Sequence, residues 1–447
     1  MRHADAPDDV RAAAARALAA HVPAGAAIAV ALSGGRDSVV LLDALFHVAP
    51  PRGHRVAALH VHHGLSPNAD RWQRFCADLC ATRGVPFTAR AVVVPRTPQA
   101  SVEAEARRLR YAALADAAVA AGIRHVALAH HRDDQAETLL LQLLRGAGPH
   151  GLAGMPAART DLHGVTIVRP LLDCPRAAID AYAQAAGLAW VDDESNAAHR
   201  HLRNAVRHVV LPALVRVAPQ APATLARAAR HQADAARLAD DLAALDAATY
   251  GNHGSLECAA LAALPPHRAR NLLRWFVRQH GLPAPSEARL AAMMAQLAAA
   301  RADANVALAH GGVELGVWRG RVVVHPASPP AFDVRWSGES ELTLPHGRLA
   351  FDRADGAGLD ATRIAAAPVS VRPRTGGERL QLAAGRPRRA LKSLLQEAGL
   401  APWDRRALPL VFCGDALAAA PGVGVDAAFA ARPGAPGVTV VWHPKPI

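Results

Sequence analysis

Ala26-Ala27-Ile28-Ala29-Val30-Ala31-Leu32-Ser33-Gly34-Gly35-Arg36-Asp37-Ser38-Val39-Val40-Leu41-Leu42 decides the fold. The apolar run Ala26–Leu32 is too short for an independent helix and ends abruptly in glycines. A periodic apolar stretch, Val39 to Val48, follows. This order predicts strand, glycine loop, helix. Glycines let a backbone approach an anion, and the next helix aims N–H groups and partial positive charge at it. Ser33 and Ser38 add hydroxyl donors. Asp37 repels phosphate unless a divalent cation lies between them, which predicts Mg²⁺. No lysine stands where a G-x-x-x-x-G-K-[ST] loop requires one.

The pattern repeats outward. Short apolar strands are predicted at Val56–Val61, Ala91–Val94, 125–129 and 165–169, with helices near 69–83, 101–121 and 134–144. Alternation of this kind predicts an α/β fold, a doubly wound parallel sheet with helices on both faces. Ligands of such sheets sit beyond the carboxyl ends of the strands. The loops 33–38, 62–68 and 130–135 therefore predict one site. After Pro212 the composition turns to Ala, Leu and Arg. We expect a catalytic domain over 1–215, a helical domain over 216–328 with strand-like character from 305, and a small α+β domain over 332–447. Pro326 to Ala331 reads as the linker.

The 447 residues are 51% hydrophobic and 20% charged, which excludes disordered and collagen-like classes. The net charge of +12 is almost all arginine, since Lys392 and Lys445 are the only lysines. Arginine suits bidentate phosphate contact, so a polyanionic partner, nucleic acid first, is expected. The five cysteines are odd in number and scattered, which fits a reducing cytoplasm. No apolar run is long enough to span a membrane, and no secretory leader is evident.

Further motifs lie along the chain. In His130-His131-Arg132-Asp133-Asp134-Gln135-Ala136-Glu137, Asp134 and Glu137 are three apart and share a helical face, where paired carboxylates can hold a metal or a cationic substrate. His60, His62 and His63 lack partners at zinc-like spacing, so nucleotide or substrate contact is expected there. Glu103 and Arg107 are four apart, and Arg107 and Arg110 three. Such a run is by default a solvated face, with an arginine pair turned to phosphate as the alternative. Seven basic residues stand between Arg372 and Lys392.

These motifs occur in order with Arg145 to Leu152, Arg169-Pro170-Leu171-Leu172, Trp190 to Asn196, and Arg203-Asn204-Ala205-Val206-Arg207. Toward the C-terminus come Arg372 to Arg379, Leu391 to Gln396, and Pro402-Trp403-Asp404-Arg405. Together they resemble the tRNA(Ile)-lysidine synthetase family of the PP-loop ATP pyrophosphatase superfamily. The resemblance is dense over about 25–212 and good over about 370–412. It implies an adenine nucleotide alpha hydrolase-like fold with ATP and Mg²⁺ as cofactors. It also implies ligation of L-lysine to C2 of the wobble cytidine in a CAU-anticodon isoleucine tRNA. Ser33, Gly34, Gly35, Arg36, Asp37, Ser38 and His60 would then bind nucleotide, with Asp37 on the metal. Arg107 or Arg110, and Arg203 or Arg207, would neutralise phosphate. Asp134 and Glu137 would take the lysine amine, and Asp133 would be metal or structural support. A homodimer is left open.

Three other readings compete. A tRNA thiolase of the same superfamily would place a cysteine pair or iron–sulfur cluster near the loop, but no C-x-x-C exists and Cys76 and Cys80 read as buried hydrophobes. An ammonia-using synthetase would not need the charge or the added domains. A non-catalytic RNA-binding protein would not need Ser33, Asp37, Ser38 and Asp134 intact.

Overall fold

The computed structural model describes residues 6–64, 66–95, 102–161, 163–192, 202–252, 254–301 and 306–445. The Glu103 side chain and Asp193 to Asn196 lie outside what it describes. Helix α1 (Ala6–His21) leads into strand β1 (Ile28–Ala31), then α2 (Arg36–Val48), β2 (Val56–His62), α3 (Ala69–Thr82) and β3 (Phe87–Ala91). There follow α4 (Val102–Ala120), β4 (His125–Ala127), α5 (Arg132–Leu144), α6 (Pro149–Leu152), β5 (Ala158–Thr160), β6 (Thr166–Val168) and α7 (Arg176–Ala185). Then come α8 (Leu202–Ala205), a π-helical turn over Val206–Val210, α9 (Leu211–Val217) and the long α10 (Ala221–Tyr250).

The six-stranded sheet runs β3-β2-β1-β4-β6-β5. All its pairs are parallel except the β5–β6 edge, which is antiparallel. β1 is central, and Ile28, Ala29 and Val30 are fully buried, which is why the strand reads as an unbroken apolar run. One core on one face joins α1, α2 and α7 to the sheet, and a second on the other face is built from Leu114, Ala115 and Ala118 of α4. Chain order reverses between β1 and β4, which makes that point the ligand crevice of a doubly wound sheet.

Two expectations shift. The third strand is Phe87–Ala91, not Ala91–Val94: its register against Ala58–His62 of β2 ends where β2 ends, and Val93 is left exposed. Helices α2 and α5 begin earlier than periodicity indicated, so Asp37 and Asp133 lie in first helical turns. After Pro212 the structure has the helices and the strand-like stretch from 305 that were expected, and adds two short strands, Gly251–Asn252 and Ser255–Glu257. Helices Cys258–Ala263, Pro266–Gln279 and Glu287–Ala298 pack on a five-stranded antiparallel sheet completed by Ala307–His310, Val313–Trp318 and Arg321–Pro326.

The chain divides into two compact units, Met1–Leu238 and Ala239–Ile447, at a boundary within α10. The last part, from Val334, is α+β, with a five-stranded and a four-stranded antiparallel sheet and short helices Leu391–Glu397 and Pro402–Ala407. Among the described residues, no single helix is long and apolar enough to cross a membrane.

Candidate active site

The parallel pairing puts the carboxyl ends of β1, β2 and β4 at one sheet edge, so the three loops singled out in the sequence converge there. The β1–α2 loop is held by its own serines. Ser38 Oγ donates to the Gly35 carbonyl at 2.8 Å and accepts from the Ser33 amide at 3.2 Å. Ser33 Oγ accepts from the Gly35 amide at 3.3 Å. Gly34 has φ +89°, and a Cβ there would lie 2.9 Å from Val191 Cγ2, so both backbone conformation and space demand glycine. Gly35 caps α2 in an extended conformation with no side-chain cap, which leaves first-turn amides for an anion.

Asp37 projects from that turn. Its carboxylate lies 3.6 Å from His131 Nε2 and 3.3 Å from Arg36 Nε. Burial alone would raise its pKa, but His131 and Arg36 outweigh burial and hold it below the usual carboxylate value. His131 is 2% exposed and also faces Asp134 at 3.5 Å and Asp133 at 3.9 Å. Burial opposes its charge, yet these carboxylates raise its pKa above the ordinary histidine value. Arg36 bridges Asp37 to α7, its Nη1 meeting Asp180 at 2.5 Å. His60 is buried, and its Nδ1 bonds the Leu32 carbonyl at 2.8 Å, so it shapes the end of β1 from beneath.

The α5 acids are spent on three tasks. Asp133 Oδ2 accepts from the Arg176 amide at 3.1 Å and so ties down the start of α7. Asp134 Oδ2 accepts from the His131 amide at 3.0 Å. The rest of Asp134 and all of Glu137 face arginines. Arg203 Nε meets Glu137 at 3.1 Å and its Nη2 meets Asp134 at 3.2 Å. Arg207 reaches Glu137 at 2.5 and 2.9 Å and Asp134 at 2.8 Å. Two carboxylates and two guanidiniums thus form one neutral, largely buried network. Spacing on α5 anticipated the shared face of Asp134 and Glu137. It did not anticipate that their partners are the arginines expected on phosphate.

Arg107 and Arg110 of α4 lie over the Tyr111 ring, at 5.6 and 5.9 Å from its centroid. Among the described residues, groups of three or more His, Cys, Asp or Glu that could hold a metal unaided are absent. All five cysteines are buried and unpaired. Burial pushes the Cys76 thiol up to about 12 and the Cys80 thiol up to about 11. Both stay protonated at neutral pH and are poor nucleophiles or ligands. Two residues of this edge carried no role in the sequence reading. His131 follows His130 in the doubled histidine, and Arg169 ends the run after β6. An arginine directly beyond a buried parallel strand is the signal that marks the second.

Comparison with known proteins matches a PP-loop domain over residues 10–214, a TilS substrate binding domain over 256–323 and a TilS substrate C-terminal domain over 369–442. A tRNA(Ile)-lysidine synthase of Nitrosomonas europaea is 41% identical over 437 residues, 96% of this chain and 94% of its own. One from an Azoarcus species is 42% identical, covering 95% and 94%. One from Ralstonia nicotianae is 42% identical, covering 96% and 95%. Similarity at this level over nearly full length, with all three domain models matched in chain order, shows that the chain belongs to the tRNA(Ile)-lysidine synthase family of ATP-using ligases.

Proposed function

We propose that the β1–α2 loop binds ATP, that the wobble cytidine of a CAU-anticodon tRNA(Ile) is adenylated at its C2 oxygen, and that L-lysine displaces AMP to give lysidine. The observation that carries this reading is the opposition, at one sheet edge, of an anion-binding loop and a buried acidic pair. In the first step the C2 oxygen attacks the α-phosphorus and pyrophosphate leaves toward the loop amides and Ser33. In the second the lysine ε-nitrogen bonds to C2, the C2–O bond breaks, and AMP leaves with that oxygen.

Mg²⁺ fits the donors present. It favours one or two carboxylates completed by phosphates and water. Asp37, negative and partly exposed beside the loop, supplies one such ligand. The ion would offset charge on the departing pyrophosphate. His131 and Arg36 keep the Asp37 carboxylate ionised and oriented.

Lysine's ε-amine, with an ordinary pKa near 10.4, must lose a proton before attack. Asp134 and Glu137 are the acids for it, but Arg203 and Arg207 occupy them. The two assigned roles are therefore coupled. When phosphate draws the arginines away, the carboxylates become uncompensated and attract the ammonium. Arg203 and Arg207 then stabilise charge on the leaving adenylate.

RNA contact falls to the remaining positive charge. Between Arg372 and Lys392, Arg374 pairs with Glu378, Arg388 with Asp426 and Arg389 with Glu397, while Arg372 lies over Phe412. Arg379, Arg386 and Lys392 are exposed and form no ion pair among the described residues; Arg379 is held by the Arg388 carbonyl, which leaves Arg386 and Lys392 as the strongest candidates for phosphate contact. The reaction belongs in the cytoplasm with its tRNA. A homodimer would show as a doubled mass in light scattering. The deciding experiment is incorporation of labelled L-lysine into a CAU isoleucine transcript with ATP and Mg²⁺, beside a CAU methionine transcript. Label on the isoleucine transcript alone is expected. Pyrophosphate release without label would reject lysine as the nucleophile.

A further inference from the structure

Arg169 stands immediately beyond β6, at the sheet edge that carries the glycine loop. It is 5% exposed. Its Nη1 donates to the Pro156 carbonyl at 2.8 Å, while its Nε is buried with no partner. Among the described residues no carboxylate pairs with it. Burial and the like charges of Arg159 and Arg107 all work against its charge, and Tyr111 alone supports it. A buried cation without a counter-ion is costly, and a guanidinium stays charged whatever its surroundings.

The neighbours repeat the imbalance. Arg107, Arg110 and Arg169 all draw the Tyr111 hydroxyl below its ordinary pKa, against the upward push of burial. Half-buried His130 is held neutral first by desolvation, then by Arg169, Arg203 and Arg107 against Asp134. Positive charge has gathered on one side of the site, and Asp134 and Glu137 of α5 are committed to Arg203 and Arg207. An anion from outside is what completes this arrangement.

We propose that Arg169, with Tyr111 and Arg110, forms a subsite for a phosphodiester of the RNA strand beside the cytidine that reacts. Two steps across the sheet, at roughly 4.8 Å each, separate β6 from β1. The glycine loop has its own donors for the nucleotide's phosphates at β1. Arg169 is displaced from it by about two strand spacings, so it serves a second, separate phosphate. An arginine fork that meets that phosphate from below fixes the strand's register while the base enters the crevice. This rests on the proposed tRNA reaction and adds a positioning residue to it.

The test uses the full chain and a CAU-anticodon isoleucine transcript, with affinity read against salt concentration and KM measured separately for transcript and ATP. Arg169→Gln should raise the transcript's KM about ten- to a hundred-fold and lower the salt slope by about one, with the KM for ATP unchanged. Arg169→Lys should keep the salt slope and recover part of the loss. A rise in the KM for ATP instead, or no change in either, overturns the subsite. If Arg169→Gln does not fold, exposed Arg110→Gln and Tyr111→Phe read the same subsite, and unchanged transcript binding in both overturns it. Lysine incorporation by the unmodified protein is followed in parallel. Its absence beside a lowered slope in the variants would defeat the reaction assignment and leave the phosphate subsite standing.

Discussion

Arg207 and Glu137 meet at two points, Nε to Oε1 at 2.5 Å and Nη2 to Oε2 at 2.9 Å, with the carboxylate 1% exposed. The pair joins the π-helical turn after α8 to α5, at the sheet edge that carries the glycine loop. Removing one partner of a buried pair leaves the other uncompensated. Glu137→Ala should therefore cost about 3–5 kcal/mol of stability, measured by urea denaturation. It should also raise the KM for lysine more than that for ATP. A loss within a few tenths of a kcal/mol would show that the network is not closed in solution.

Gly34 offers a separate test of the loop. Its φ of +89° costs an L-residue about 1–2 kcal/mol, and Val191 Cγ2 would sit 2.9 Å from the new Cβ. Gly34→Ala should lower thermal stability modestly and cut pyrophosphate release far more, because loop amides move from where the phosphate is held. Gly146→Ala, also at positive φ but with open space around it, serves as the comparison. Equal effects of the two on pyrophosphate release would remove the loop's special status.

Glu378 predicts an acid-sensitive element in the C-terminal domain. Its carboxylate accepts from the Thr375 and Gly376 amides at 2.6 and 2.7 Å and from Arg374 Nε at 3.1 Å. Burial pushes its pKa up, but these bonds prevail and the folded value lies below the ordinary one. A depressed carboxylate stabilises the fold above its unfolded pKa, near 4.3, and that contribution disappears as pH falls through the folded value. Melting temperature should thus fall on acidification below about pH 4.3 more in the unmodified chain than in Glu378→Gln. Parallel profiles would refute the assignment.

The sequence disclosed what neighbours in the chain build together. Strand, glycine loop and helix are consecutive from Ile28 to Val48, so their order needs no tertiary information. Val92 to Val94 misled because apolar character marks burial propensity, whereas the end of β3 is set by where β2 stops pairing. The Asp134–Arg203 and Glu137–Arg207 pairs were invisible for another reason. Each residue type by itself points to a substrate of opposite charge, and nothing in spacing says that residues some 70 positions apart satisfy one another first. The basic run before Lys392 likewise looked unpaired, since Asp426, partner of Arg388, lies 38 positions further on.

That pairing separates the basic residues into two groups for RNA binding. Arg388 and Arg389 hold carboxylates, so releasing them to phosphate returns little net charge. Arg386 and Lys392 have no such partner among the described residues. Each phosphate contact contributes about one to the slope of log affinity against log salt. Arg386→Ala and Lys392→Ala should each lower the slope by about one and weaken binding alike for CAU isoleucine and methionine transcripts, because phosphate contacts carry no base information. Arg389→Ala should leave the slope nearly unchanged, since it frees Glu397 as it removes the cation. If Arg389→Ala produced the larger drop, its ion pair would be one that opens for RNA, and local pairing would be no guide to which arginines the tRNA uses.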